Sequence, residues 1–262
     1  MHSVKRGLIL FLSSALLLLV WQLGSVVLDS QILLPGLGPV FSALMELVQG
    51  GPFFANVFAT IIRALQSFVI IVASATVIGL LGGKFPLFSV ALKPFVTVLK
   101  AIPVMSIILL AFIWFTSGTV PLFSAFLMGF PVMYVQIEGG VRQMDKSLDE
   151  MCRLYDIRGR DKLFHYTIPS LLPFFIIGSR SALSMVWKVV IAAEVLTVPR
   201  FGVGARMQLA QVQLETDKVL SWTLLAVLLT AVFDLLFDAS VWALGKLKKR
   251  VDRGRAICNS KT

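Results

Sequence analysis

Three charged residues stand in a stretch of the chain that is otherwise apolar. Arg180, Lys188 and Glu194 all fall within residues 171–198, a stretch long enough to cross a membrane. A basic side chain at the centre of a bilayer costs ~2.5–3.5 kcal/mol on insertion scales, so these groups should face protein or water. They can pair with neighbouring helices, or they can line a path for a polar solute.

Both interpretations of these residues stay open from the sequence. In the first, Arg180 extends toward the cytoplasm, Glu194 extends toward the outer surface, and Lys188 pairs with a neighbouring helix. In the second, Lys188 and the adjacent Trp187 line a translocation path that favours an anionic or aromatic solute. Arg180 and Glu194 lie within about 40° of one another around an ideal helix, so they can share a face of the same path.

Motifs for catalysis or nucleotide hydrolysis are missing. Gly83-Lys84 is not a P-loop, because Ile78 stands where a glycine is needed and Phe85 stands where Ser or Thr is needed. The sequence has no His-Glu-x-x-His and no nucleophile elbow. We therefore predict no catalytic residue and no cofactor in this chain.

The remaining polar residues point to structure rather than to a metal or a disulfide. The two histidines, His2 and His165, are far apart, so no metal site is predicted. Asp234 and Asp238 share a helix face, where pairing with Lys246 or the basic C-terminal tail is expected. A proton-coupled carrier that uses these aspartates, or an intramembrane enzyme, is the alternative class of function.

Composition requires a membrane. Hydrophobic residues make up 57% of the 262 residues, only 15% are charged, and the mean hydropathy is +0.88. These values are too apolar for an ordinary soluble domain. The net charge of +10 reflects basic residues between hydrophobic runs, which is a topology signal and does not indicate nucleic acid.

We predict a single all-α membrane domain with about six transmembrane helices and both termini in the cytoplasm. A break at Thr116–Thr119 divides one overlong apolar stretch in two, and the even number of spans keeps both basic termini on one side. The predicted spans are residues 8–28, 61–81, 103–116, 120–137, 171–198 and 220–244.

The cytoplasmic loop of residues 138–170 is more elaborate than a connector requires. Ser147 and Glu150 have the spacing of a capping box that starts a helix. The helix ends at Asp156–Gly159, and Asp161 is placed to cap the next one. An apolar stripe runs along the first helix, formed by Leu148, Met151, Cys152 and Tyr155. The stripe either packs under its own helix bundle or binds a partner.

This loop resembles the EAA loop of ABC importer permeases. Glu150 matches the glutamate of that pattern and Pro169 matches its proline. Met151 and Cys152 depart from the usual alanines. Asp156 replaces the usual glycine, which leaves Gly159 as a residue able to share the turn.

The resemblance extends to the nitrate, sulfonate and taurine branch of these permeases over nearly the whole chain. The segments that carry it are Leu34-Pro35, Lys100–Pro103, Arg180–Trp187, Ala193-Glu194 and Phe201–Gly204. It implies a type I importer permease fold in the bacterial inner membrane. Membrane lipid surrounds such a protein, and no nucleic acid partner is implied.

The resemblance also implies a set of partners. These are a second copy of this subunit in a homodimer, two cytoplasmic ATPase subunits that use ATP and Mg, and an extracytoplasmic substrate-binding protein. The EAA helix would dock in a groove of the ATPase and drive alternating access. The implied coupling residues are Glu150, Met151, Cys152, Tyr155, Asp156 and Gly159. The transported solute is not fixed by the resemblance.

Overall fold

Helices make up all the regular structure of the described residues, 2–30, 32–157 and 159–259, in the computed structural model. The all-α prediction is confirmed. The first six helices are α1 (His2–Leu28), α2 (Leu37–Gln49), α3 (Phe53–Lys84), α4 (Pro86–Ala101), α5 (Val104–Trp114) and α6 (Val120–Arg142). The others are α7 (Lys146–Leu154), α8 (Gly159–Lys162), a π-helical segment (Leu163–Thr167), α9 (Ile168–Thr197), α10 (Val203–Val212) and α11 (Thr216–Asn259).

Four helical stretches of the described chain are long and apolar enough to cross a membrane. They are Phe53–Lys84, Val120–Arg142, Gly159–Thr197 and Thr216–Ala243. The α4–α5 pair passes the same test only as one broken span, bent by 100°. α5 has 11 residues, so its length is about 16 Å, roughly half the hydrocarbon core. Residues 8–28 and 103–116 are not among the four stretches. The crossings predicted for them therefore stay predictions.

Proline chemistry places the bend between α4 and α5. Ile102 has the extended backbone that a following proline imposes, and Pro103 precedes the first turn of α5. A second break separates Trp114 from Val120. It contains Thr116–Thr119, the stretch where the sequence places a break.

Three helices, α3, α6 and α9, form the centre of the bundle. α3 buries mainly small side chains in steps of three or four residues. A Cβ added to Gly79 would lie 2.8 Å from the Cβ of Ile137 on α6. Small residues allow this close approach, which is how helices pack when lipid removes the hydrophobic drive between them. The buried α3 series is Asn56, Thr60, Ala64, Ser67, Ile71, Ala75, Gly79 and Gly82.

Large apolar side chains cover the outer faces of several helices. A lipid-facing surface needs such residues, because the bilayer core offers polar groups no partners. The exposed examples on α1, α5 and α11 include Leu17, Leu23, Leu109, Ile113, Val227 and Leu235. The same surface would be unacceptable in water.

Candidate coupling hairpin and membrane-embedded polar residues

The hairpin of α7 and the helix that follows begins at an aspartate. The backbone N–H of Ser147 donates to Oδ1 of Asp145 at 2.8 Å, so Asp145 caps α7. The predicted capping box at Ser147 and Glu150 is therefore wrong. Asp145 lies two residues earlier, and its carboxylate also suits the positive end of the helix dipole.

α7 ends in a Schellman turn. The N–H of Ile157 donates to the carbonyl of Cys152 at 2.8 Å, and Asp156 has φ of +53°. Gly159 also has a positive φ, +60°, so it shares the turn as its position suggests. The next helix starts at Gly159, with Asp161 inside its first turn. The prediction that Asp161 caps this helix is wrong.

Asp156→Gly is expected to stabilise the end of α7. A left-handed conformation costs an ordinary residue ~1–2 kcal/mol, and glycine adopts it freely. We expect about 1 kcal/mol of added local stability, seen as roughly fivefold slower amide exchange in α7. Gly159→Ala is the control of opposite sign and should speed exchange. Unchanged exchange in Asp156→Gly would contradict this account of the turn.

Most of the apolar stripe on α7 faces away from the chain's own bundle. Cys152 is the buried member, with 5% of its surface exposed. Met151 is 44% exposed and Tyr155 is 75% exposed, and Leu148 and Leu154 are exposed as well. Packing under the chain's own bundle thus accounts for Cys152 only. Glu150 is exposed beside them.

Two contacts tie the two parts of the hairpin together. The Tyr166 hydroxyl donates to the carbonyl of Asp145 at 2.6 Å, and Lys162 Nζ lies 2.5 Å from Oδ1 of Asp149. Tyr166 is buried. The second arm of the hairpin, residues 159–167, continues without a break into α9. The hairpin is therefore joined directly to the membrane bundle.

Glu194 is completely buried near the C-terminal end of α9. Thr60 Oγ1 lies 2.8 Å from its Oε2, and Arg63 Nη1 lies 2.6 Å from its Oε1. The N–H of Gly204 donates to Oε2 at 3.1 Å. The side chain of Glu194 therefore does not extend to the outer surface in the structure. Its carboxylate is enclosed by these protein partners.

The same network joins three further parts of the chain to α3. Arg63 donates to the carbonyls of Gly118, at 3.2 Å, and Phe201, at 2.7 Å. Asn56 Oδ1 accepts from the N–H of Gly202 and from Nε of Arg206, each at 3.1 Å. We call Asn56, Thr60, Arg63, Glu194 and Arg206 the buried polar network. It fixes the α5–α6 connection and the start of α10 against α3 and α9.

Gly204→Ala is expected to disrupt this region. A Cβ at Gly204 would lie 2.4 Å from the backbone carbonyl oxygen of Ile191, which cannot move aside without shifting α9. Overpacking of this kind costs about 2–3 kcal/mol, or a fall of roughly 5–10 °C in the thermal unfolding midpoint. Gly38→Ala is the matched control, since a Cβ there meets nothing within 4 Å. Equal midpoints for the two variants would contradict the close approach.

The other charges of α9 have different surroundings. Arg180 Nη2 lies 2.9 Å from Oδ2 of Asp238, and both side chains are partly exposed. Lys246, expected as a partner of the aspartates, instead lies over the ring of Trp242, 3.7 Å from its centroid. The predicted pairing of Asp234 and Asp238 with Lys246 is thus wrong.

Trp187 and Lys188 point in different directions. Trp187 is fully buried in the bundle core and packs on Phe233 of α11, with ring centroids 4.9 Å apart. Lys188 is exposed, and no carboxylate of the described residues lies within ion-pair distance of it. Lys188 and Asp234 line a cavity of about 700 Å³ with otherwise mainly apolar walls, between α9, α10 and α11.

The described residues thus form a bundle of several membrane-length helices and a helical hairpin with an exposed apolar face. Residues 75–249 match the family described as the binding-protein-dependent transport system inner membrane component, and the chain belongs to this family. It is a permease subunit of an ABC importer, a multi-pass protein of the bacterial inner membrane, and not itself an enzyme. The resemblance stated from the sequence is confirmed.

Relatives from several organisms cover most of the chain. A protein of Brucella melitensis named as a probable ABC transporter permease is 29% identical over 72% of this chain and 76% of its own. A Bacillus subtilis protein that carries the provisional name of an aliphatic sulfonates transport permease is 26% identical over 92% of this chain and 85% of its own. The nitrate import permease protein of Synechococcus elongatus is 23% identical over 90% and 88%.

Proposed function

We propose that two copies of this chain form the translocation path of an ATP-driven importer for a small anion. Two cytoplasmic ATPase subunits would bind ATP and Mg, and an extracytoplasmic binding protein would deliver the solute. The chain itself would hold no cofactor. The observation that carries the proposal is the exposed apolar face of α7, which none of the described residues covers.

Coupling would pass through the hairpin. An ATPase that grips Met151 and Tyr155 would pull or push α7, and Tyr166 and Lys162 would transmit that displacement to the second arm. Since this arm runs unbroken into α9, the movement would tilt the helix that bears Lys188. Closure of the two ATPases would thereby switch the path between inward-open and outward-open states, as rigid-body alternating access requires.

The solute class follows from the relatives' names and from Lys188. Sulfonate, nitrate and bicarbonate, named for three relatives, are all anions. Lys188 is an exposed cation in a cavity whose other walls are mainly apolar, apart from Asp234 and two threonines. An anionic solute with a compact or apolar body would place its charge at Lys188 and the rest against the apolar walls. Trp187, buried in the core, would support the position of Lys188 rather than touch the solute.

Lys188→Ala is expected to lower solute import at least tenfold, while the complex still assembles. The loss of a charge that faces the solute typically costs a few kcal/mol of binding. Uptake of radiolabelled sulfonate or nitrate into proteoliposomes measures the effect, with Lys188→Arg as the variant that keeps the charge. Import at the parental rate by an assembled Lys188→Ala complex would rule out this role.

Co-purification tests the function as a whole. A tagged form of this chain, extracted from the membrane in mild detergent, should bring down an ABC ATPase in about equal amount. A proton-coupled carrier or an intramembrane enzyme would be isolated without one. Recovery of the intact chain alone, from cells that express the ATPase, would overturn the proposal.

A further inference from the structure

A cavity of about 290 Å³ lies between α4 and α6 and shares no lining residue with the groove beside Lys188. Its polar lining includes three cations, Lys93 and Lys100 from α4 and Arg142 from α6. Glu138 is its one carboxylate. The proposed transport function uses none of these residues, so the cavity needs its own explanation.

The two lysines are available to a ligand. They are seven residues apart on α4, which places them on one face of the helix. Both are exposed, and neither has an ion-pair partner among the described residues. Thr97, between them, adds a hydroxyl to the same wall.

Arg142 contributes a further cation held in a fixed position. Its Nη2 lies 2.8 Å from Oε1 of Glu138, one turn earlier on α6. The same nitrogen donates to Ser89 Oγ, and Ser89 in turn donates to Glu138, each at 2.5 Å. Glu138 therefore neutralises Arg142 in part and leaves the lysines uncompensated. A guanidinium so positioned suits a phosphate oxygen.

The place of the cavity in the membrane selects the ligand. It lies near the ends of α3 and α6, at Lys84 and Arg142, which the topology puts at the cytoplasmic surface. Val90 and Val135 line it beside the cations, and both are exposed. A cationic pocket with an adjoining apolar wall fits a phosphate headgroup with acyl chains attached, whereas a free phosphate needs no apolar wall.

We propose that this cavity binds the headgroup of an anionic phospholipid of the cytoplasmic leaflet, with Lys93, Lys100 and Arg142 around its phosphate. The bound lipid would fill the space between α4 and α6. Because Arg142 ends α6 four residues before α7, the bound lipid would also steady the base of the hairpin.

Lipid retention tests this site on the intact transporter. The complex with its ATPase is purified from nanodiscs of phosphatidylcholine and phosphatidylglycerol, and the retained phosphatidylglycerol is measured by native mass spectrometry. Loss of one direct lysine contact with the phosphate costs roughly fivefold, so K93Q/K100Q should weaken retention about 25-fold. The matched control is K84Q/K246Q, which removes the same charge from the cytoplasmic surface but no residue that lines the cavity, and it should stay within twofold of the parent.

Two other results would overturn the inference. One is equal retention by K93Q/K100Q and the control. The other is displacement of the lipid by sn-glycerol 1-phosphate at concentrations similar to those of phosphatidylglycerol, which would mean a site for soluble phosphates instead. A photoactivatable phosphatidylglycerol on the unmodified protein gives an independent readout. It should label residues 86–101 and 134–142, and labelling confined to other segments would also contradict the site.

Discussion

Replacement of Glu194 by alanine is expected to destabilise the protein by about 3–5 kcal/mol. The carboxylate is fully buried and partners Arg63, whose side chain is only 16% exposed. Its removal leaves a nearly buried guanidinium without its counter-charge and orphans the N–H of Gly204, and loss of one partner of a buried pair costs this much. Thermal unfolding of the purified protein in detergent measures the effect, with a fall of roughly 10 °C.

A second ion pair that involves α9 provides the control. Arg180 of α9 lies 2.9 Å from Asp238 of α11, and their side chains are 60% and 45% exposed. Asp238→Ala should therefore cost less than about 1 kcal/mol. The double variant R63Q/E194Q should recover part of the loss, because it leaves no unpaired charge. An unfolding midpoint for Glu194→Ala close to that of Asp238→Ala would contradict the importance of the buried polar network.

Met151→Asp is expected to release the ATPase from the transporter and to abolish solute uptake. Met151 lies in the centre of the exposed face of α7, and the docked ATPase would bury it. A buried charge without a partner costs several kcal/mol, so ATPase binding should weaken about 100-fold, and solute uptake should fall to background. Solute uptake is measured in proteoliposomes. The amount of co-purified ATPase is measured on the protein extracted in detergent from the same membranes.

The control for Met151→Asp is Leu163→Asp. Leu163 is also 44% exposed and lies in the same hairpin, but in the second arm rather than on α7. It receives the same charge at a position outside α7. Uptake that survives in Met151→Asp, or that is lost equally in both variants, would show that α7 is not the specific contact.

Local patterns predicted the hairpin well. The three- and four-residue spacing of Met151, Cys152 and Tyr155 indicates a helix with one apolar face, and that helix forms. The departure from glycine at Asp156 correctly pointed to Gly159 as a second residue of the turn. The predicted start of the helix was wrong because two capping residues, Asp145 and Ser147, compete within one turn. Spacing alone favours the Ser147–Glu150 pair.

The buried polar network was beyond local patterns. Thr60 and Glu194 are 134 positions apart, and a threonine at the edge of an apolar span carries no signal of its partner. Arg63 did carry one, since a basic residue within a predicted span is costly in the same way as Lys188. That signal would have identified Arg63 as a residue in need of a buried carboxylate.

Trp187 and Lys188, which the sequence analysis places together on one path, have different surroundings in the structure. Neighbouring residues on an α-helix point about 100° apart, so they need not face the same groove. In the structure the tryptophan packs in the core and the lysine lines the cavity. The sequence order of the two residues is compatible with either orientation, and only the packing of α11 against α9 decides between them.

Site-specific photocrosslinking from Tyr155 tests the central claim most directly. A benzophenone amino acid at position 155 of the intact complex should capture the ATPase subunit on irradiation. The same group at Leu87, an exposed apolar residue of α4, should not. Crosslinks from position 155 that reach only this chain or a second copy of it would contradict the account.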